Sequence, residues 1–291
     1  MPPIPPRLAL AASEGFGDLD DDWPLLREAL AAVGFDPHIV VWDDPVVDWP
    51  SFELVTVNYA WGYVTRRPEF LDWAASVAAQ TRLVNPEPVV KWNSEKTYLA
   101  DLAADGIPIV PTSWVPPGAG WTPPSDDYVI KPSVASGSLG AARYRRTGVD
   151  TADEHVRRLH RQGLTVMVQP YQSAIDANGE VALIYFGQEF SHAVSKQALL
   201  APDVGEIERL WEQHVITPTE ATDQQRRLAE TTLDVIGQRL GPIAYARVDV
   251  IDDLDGHPLV LEVELIEPAF YFTYGVGAAE RLAAELRGRI G

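Results

Sequence analysis

Two segments joined by a turn decide the fold: Ala244-Tyr245-Ala246-Arg247-Val248-Asp249-Val250-Ile251-Asp252, then Asp255-Gly256, then Leu259-Val260-Leu261-Glu262-Val263-Glu264-Leu265-Ile266. Asp-Gly between two alternating runs is a strong signal for a two-residue hairpin turn. Centred there, Asp249 lies opposite Glu262, and Arg247 lies opposite Glu264. Side chains alternate along a strand, so Arg247 and Asp249 share one face with Glu262 and Glu264. Val248 and Val250, with Leu261, Val263 and Leu265, are expected on the other. Three carboxylates and one arginine then meet on a small area. Opposed acids repel unless a cation sits among them. Hard oxygen donors of this kind suit Mg²⁺ or Mn²⁺ holding a polyphosphate. An ordinary half-buried hairpin with a solvated charged face fits the same pattern.

Upstream, Val129-Ile130-Lys131-Pro132 leads into Ser133-Val134-Ala135-Ser136-Gly137-Ser138-Leu139-Gly140. A strand presents a lysine, and a loop of small residues follows. Backbone amides in such a loop can approach phosphate oxygens closely. No Gly-Lys-Ser/Thr ends it, so it is not a Walker A loop. Taken alone it also fits a plain hairpin connection, but an interior-facing lysine needs an anionic partner. Met167-Val168-Gln169-Pro170-Tyr171 reads as a strand end, or as a hinge reading an adenine edge. Lys96 at a helix start, and His192 with Lys196 on one face of a strand at Phe190 to Val194, are solvent-exposed by default.

The rest of the 291 residues fits an α/β class. Strands are expected at Arg7 to Ala12, His38 to Trp42, Leu54 to Asn58 and Leu83-Val84. Helices are expected at Asp22 to Val33 and Glu69 to Gln80. Asn85-Pro86-Glu87-Pro88 should break either regular structure. Ser94 is a candidate N-cap for a helix over Thr97 to Asp105. Beyond it, Ile107 to Val115 is extended, Ala141 to Tyr144 pairs beside the lysine strand, and Glu154 to Arg161 is a helix. Strands follow at Thr165 to Gln169 and Val181 to Phe186, and a helix spans Asp223 to Leu240. The cluster Asp18, Asp20, Asp21 and Asp22 reads as a solvated loop and helix N-terminus rather than a metal site.

The net charge of −19 disfavours nucleic acid, which an acidic surface repels. Cysteine is absent, which excludes disulfides, thiolate nucleophiles and cysteine–zinc sites. No apolar run reaches membrane length. Met1 to Pro6 has neither the apolar stretch nor the cleavage pattern of a secretory signal. A cytoplasmic enzyme without membrane or nucleic-acid partners is expected, with a homodimer left open.

In this order the pieces resemble the ATP-grasp superfamily, near glutathione synthetase, the ribosomal-protein glutamate ligases and D-alanine–D-alanine ligase. The resemblance implies three subdomains: an N-terminal α/β domain (1–88), a central lid (89–167) and a C-terminal unit (168–291), with ATP between the last two. It implies that Lys96 and Lys131 contact phosphates, and that Ser136, Gly137, Ser138 and Gly140 form the lid loop. Gln169 and Tyr171 resemble the adenine hinge and Glu180 a ribose contact. Of the two implied catalytic residues, Lys196 resembles a phosphate- or substrate-facing cation and Arg247 the arginine at the γ-phosphate and acyl phosphate; Asp249, Glu262 and Glu264 resemble the Mg²⁺ or Mn²⁺ ligands. The implied activity is carboxylate–amine ligation or cyclo-ligation of a small amino-acid-like substrate through an acyl phosphate. Its alternatives are intermolecular ligation of amino acids or dipeptides, and a catalytically silent ATP-binding subunit.

Many relatives end in Glu-x-Asn, where this chain has Glu264. That is similar to a bacterial subgroup containing the cyclo-ligase that forms D-cycloserine from O-ureido-D-serine. Members of that subgroup tend to carry Arg-Ser-Thr-Trp-Asp-Tyr in the first domain, whereas this chain has Asn58-Tyr59-Ala60-Trp61-Gly62-Tyr63. Loss of the arginine and aspartate removes partners for a carboxylate and an amine, so the cyclo-ligase substrate does not carry over. Asn58, Tyr59, Trp61, Tyr63 and Glu267 are the expected substrate-choosing residues.

Overall fold

A computed structural model describes residues 4–15, 22–202, 204–208 and 215–290. Asp18, Asp20 and Asp21 of the acidic cluster lie outside them. Three sheets organise the chain. The first is parallel, with β1 (Arg7–Ala12) between β2 (Asp36–Val41) and β3 (Leu54–Tyr59). Its centre is almost entirely apolar and buried, as a parallel strand covered on both faces requires. Helices α1 (Trp23–Ala32) and α2 (Arg67–Ala78) flank it. Leu83 extends it by a parallel bridge to Val55.

The linker differs from expectation. Pro88 does not break the chain but sits in the first turn of α3 (Glu87–Asn93), where a missing N–H costs nothing. Ser94 ends α3 rather than capping α4 (Tyr98–Ala104): its hydroxyl donates to the Lys91 carbonyl and accepts from Arg67 Nε.

The second sheet is antiparallel, in the order β4 (Ser113–Val115), β7 (Val166–Pro170), β5 (Tyr128–Pro132), β6 (Ala142–Tyr144). Helix α5 (Val149–Arg161) packs its buried Ala152, Val156 and Leu159 on it. The third sheet is also antiparallel, in the order β10 (Ile216–Thr219), β9 (Glu189–Lys196), β8 (Glu180–Phe186), β11 (Tyr245–Asp252), β12 (Pro258–Glu264). A short α6 (Ile175–Asn178) precedes it. Helix α7 (Asp223–Leu240) spans the expected range, and a capping box closes its start: Thr222 Oγ1 accepts from Gln225 N, and Gln225 Oε1 accepts from Thr222 N. Helix α8 (Ala278–Gly288), absent from the sequence reading, packs against α1 and the third sheet.

The hairpin pairs Asp249 with Glu262 and Arg247 with Glu264, as expected. Its path there is different. Near the turn, Val250 faces Val260 and Ile251 faces Leu259. The loop is one residue longer than a two-residue turn, with Gly256 left-handed (φ 80°) and Asp253 N bonded to His257 O. A bulge between Asp249 and Val250 restores the register. The extra residue is Leu261, which lines the cleft beside Glu262 instead of lying behind it.

β12 is an edge strand whose backbone is satisfied by side chains from the linker. Asn85, wholly buried with φ 45°, donates to the carbonyls of Tyr245 and Leu265 and accepts from Ala244 N at 2.8 Å. Asn93 bonds Val263 O and Leu265 N, and the Tyr98 hydroxyl lies 2.8 Å from both Val263 O and Val263 N. Farther along, Pro108 O and Val110 N bond the backbone of Val260. No helix among the described residues is long and apolar enough to cross a membrane.

Candidate active site

Alternation on β11 sends Val248 and Val250 into the core and Arg247 and Asp249 into a chamber. Both charged groups are buried, so each needs a counter-charge. The Arg247 guanidinium holds both oxygens of Asp249, at 2.8 and 2.9 Å, and also bonds Glu264. Lys196 Nζ donates to Asp249 Oδ2 at 2.9 Å and pairs with Glu180 on the adjoining strand. Burial alone would raise the Asp249 carboxyl, but Arg247 and Lys196 outweigh it and hold the group below its ordinary range. Burial likewise pulls Lys196 down, and Asp249 with Glu180 pushes it back above its ordinary value. Glu264 and Glu180 are less well compensated: burial lifts each to about 7.

The exposure expected by default for His192 and Lys196 is overturned. β9 runs on to Lys196 inside the sheet, and both residues are buried. The Lys196 charge is retained by two carboxylates, and His192 Nε2 bonds the Phe270 carbonyl at 2.9 Å. Lys96 is buried too: its Nζ reaches Glu262 Oε1 at 3.0 Å and the Ala135 carbonyl.

A second cavity adjoins the chamber, and Gly137, Ser138, Glu180, Leu261 and Glu262 line both. Its far end is apolar, with Val110, Leu199, Leu200 and Ile251, beside the strand end at Gln169 to Tyr171. Lys131 lines it, and burial lowers its ammonium to about 8. Gly137, Ser138 and Gly140 all have positive φ (58°, 64° and 72°), which coils the loop tightly. A Cβ on Gly140 would press on Pro132 at 3.3 Å. Ser136 lines the chamber. The Gln169 amide donates to Thr112 Oγ1, and the Tyr171 ring lies under Arg143 with its hydroxyl on Asp176. Both side chains are thus committed, and the Tyr171 N–H is taken by the Asp127 carbonyl at 2.8 Å.

Of the first-domain residues, Trp61 lines the chamber, its Nε1 donating to the Glu267 carbonyl at 3.0 Å. Asn58 is buried and accepts from Thr56, Tyr63 stacks on Phe70 at 4.4 Å, and Tyr59 meets Trp61 edge-on. Glu267 is buried, which raises its carboxyl well above the ordinary range, with Glu264 adding to the rise. The oxygens of Asp249, Glu262 and Glu264 do not converge as a ready trio. Among the described residues, the group that does so is Asp253, Asp255 and His257 on the exposed turn. All three border the chamber, and each is already paired with a cation: Glu262 with Lys96, Glu264 with Arg247, and Asp249 with Arg247 and Lys196.

Along its length, the chain is 36% identical to the cycloserine biosynthesis protein DcsG of Streptomyces lavendulae, over 97% of this chain and 98% of that protein. It belongs to the DcsG family. A family model for the N-terminal domain of D-cycloserine synthetase DcsG matches residues 8–85. The crystal structure of D-cycloserine synthetase DcsG superposes with a TM-score of 0.90 at 34% identity, covering 98% of this chain and 100% of that one. D-alanine–D-alanine ligase from Bacillus anthracis, solved with ATP, shares the fold at 12% identity, with a TM-score of 0.60 and 98% and 99% coverage. This DcsG-family chain has the ATP-grasp fold and is an ATP-dependent carboxylate–amine ligase or cyclo-ligase.

For this DcsG-family member, the lowered Lys131 predicts a pH dependence of nucleotide affinity. Below about 8 the ammonium is charged, and a phosphate bound beside it would meet that charge directly. Above it, binding must first take up a proton, so affinity should fall by about tenfold per pH unit. Calorimetry with MgADP between pH 7 and 9.5 should show that slope with proton uptake. Lys131→Arg, charged throughout, should flatten it; a flat wild-type profile would exclude Lys131 from phosphate contact.

Proposed function

We propose that this enzyme phosphorylates the carboxylate of a small amino-acid-like molecule with ATP and then joins the acyl group to an amine. The observation that carries this reading is the continuous cleft, apolar and hinge-lined at one end and cation-lined at the other. Adenine fits the apolar end. Lys131 and Lys96 meet phosphates beneath the loop from Ser136 to Gly140, and Glu180 lies towards the ribose. The γ-phosphate then falls at the junction, facing Arg247 and Lys196. Glu262 and Glu264, with Asp249 as third carboxylate, hold Mg²⁺, which supplies positive charge against the phosphates. Arg247 orients the carboxylate, and Lys196 stabilises charge developing on the transferred group. No side-chain nucleophile is required, because placement and electrostatics lower the barrier.

Three sheets support three subdomains at 1–88, 89–167 and 168–291, although β7 crosses the second boundary. The work is done in the cytoplasm on free small molecules, and a homodimer remains compatible. D-Cycloserine formation does not transfer directly: where subgroup members tend to place an arginine, Asn58 is buried against Thr56. Substrate choice falls instead to the Trp61 and Glu267 side of the chamber.

The test is ADP release with Mg²⁺, ATP and hydroxylamine across free and O-substituted D- and L-amino acids. A subset should release ADP and leave a hydroxamate. Trp61→Ala should raise KM for that carboxylate and leave KM for ATP unchanged. ADP release that no carboxylate stimulates would favour the catalytically silent subunit.

A further inference from the structure

Tyr271 stands in the chamber in a conformation that side-chain-bearing residues seldom adopt, φ 54° and ψ 46°. Its neighbours explain how it is held. Phe270 and Phe272 are both buried and stack on each other at 5.4 Å, anchoring the chain on either side. His192 Nε2 donates to the Phe270 carbonyl, while Ser191 Oγ, 2.8 Å from His192 Nδ1, is bonded by Arg281. Gly275 closes behind the imidazole, where a Cβ would come within 2.6 Å of the ring. With both flanking rings inside the core, the left-handed turn sends the Tyr271 side chain the other way, towards the charged groups.

The ring lies 5.7 Å from the Arg247 guanidinium, and the charges that bear on the phenol are those of Arg247, Lys196, Asp249 and Glu264. Among the described residues its hydroxyl has no hydrogen-bond partner. The neighbouring donors are committed: Arg247 and Lys196 to carboxylates, Trp61 Nε1 to a carbonyl. Burial raises the phenol above its ordinary value, so it keeps its proton and has it to donate.

We propose that Tyr271 is a substrate-binding residue whose phenol donates a hydrogen bond to the carboxylate and then to the acyl oxygen of the acyl phosphate; this rests on the ligase reading above. A carboxylate oxygen attacks the γ-phosphorus, and the bond to ADP breaks. The amine then attacks the carbonyl carbon, phosphate leaves with the electron pair of the C–O bond, and the amine's proton passes to water. Negative charge collects on the acyl oxygen during that attack, where a fixed donor counts most. Tyr271 gains and loses no proton. Its ring, with Trp61, also confines the substrate to a narrow body between two aromatic surfaces.

Tyr271→Phe tests this because ring, backbone and packing stay and only the hydroxyl goes. The probe is acetyl phosphate, titrated calorimetrically into the MgADP complexes of wild type and variant. Acetyl phosphate affinity should fall by about tenfold in the variant, with ADP affinity and Tm unchanged. Equal affinity overturns the assignment of Tyr271 and leaves the ligase reading in place. Parallel loss of Tm or ADP affinity makes the hydroxyl structural and also overturns it. No acetyl phosphate binding to the wild type overturns the acyl-phosphate reading, and this proposal with it.

Discussion

Replacing Glu262 with Gln is expected to lower kcat by about a thousandfold or more while the protein stays folded. The position explains both halves of that outcome. Glu262 is partly exposed on an edge strand, so its amide counterpart meets no packing conflict. It lines both adjoining cavities. Opposite Asp249, and about as exposed as Glu264, it contributes a negative charge where the proposed Mg²⁺ and polyphosphate meet. An amide oxygen can still accept from Lys96 but carries no charge for the cation. ADP release in the hydroxylamine assay should disappear, and Tm and circular dichroism should stay near wild type. Wild-type turnover would remove Glu262 from the metal set.

Arg247→Met should be the most damaging single change for the fold and for the chemistry together. The guanidinium makes two bonds to Asp249, one to Glu264, and a long one of 3.4 Å to the Ala269 carbonyl. Its removal leaves the half-buried Glu264 without its cation and the buried Asp249 dependent on Lys196 alone. Breaking a buried pair from one side costs about 3–5 kcal/mol, a large part of the roughly 5–15 kcal/mol that holds a folded protein together. The pH dependence has a definite sign. Glu264 is already lifted to about 7, and losing Arg247 lifts it further, so its protonated form is favoured by the fold. The variant should therefore regain stability as pH falls from 8 towards 6 and lose it again as pH rises. Adding Glu264→Gln to Arg247→Met should recover much of the stability without restoring activity, because fold and catalysis use the arginine differently. Arg247→Lys supplies charge but not the planar fork, so it should rescue folding more than turnover. A single variant as stable as wild type at pH 8 would contradict the pairing described.

The acidic end of the hairpin was legible because period-two alternation and a turn signal are local properties. The assumed two-residue turn was one residue too short, and the bulge at Leu261 put the acidic end back in register. The facing of Leu261 and the pairings from Val250 to Asp252 carry the difference. Lys131 and the loop after it were likewise local. The burial of Lys96 and Lys196 was not, because each is decided by carboxylates elsewhere in the chain, Glu262 for one and Glu180 with Asp249 for the other. Tyr271 was missed for a related reason. Between two other aromatics it reads as core, and what turns it outwards is a left-handed backbone fixed by His192 from another strand. The resemblance to relatives implied a hinge role for Gln169 and Tyr171. It could not show that the side chains of Gln169 and Tyr171 are already occupied by Thr112, Arg143 and Asp176.

The side-chain bonds along the outer edge of β12 limit how members of this family can be recombined. Asn85, Asn93 and Tyr98 occupy the backbone of the strand that carries Glu262 and Glu264. A chimera that takes its first domain from one relative and its hairpin from another must therefore keep those three residues matched to the edge they complete. A join at residue 88 would part Asn85 from its two companions, whereas a join before it moves all three together. The two parts of the molecule are thus inherited through a shared seam, and under the proposed reading a new specificity is more readily grafted at single positions such as Trp61 than by exchanging whole domains.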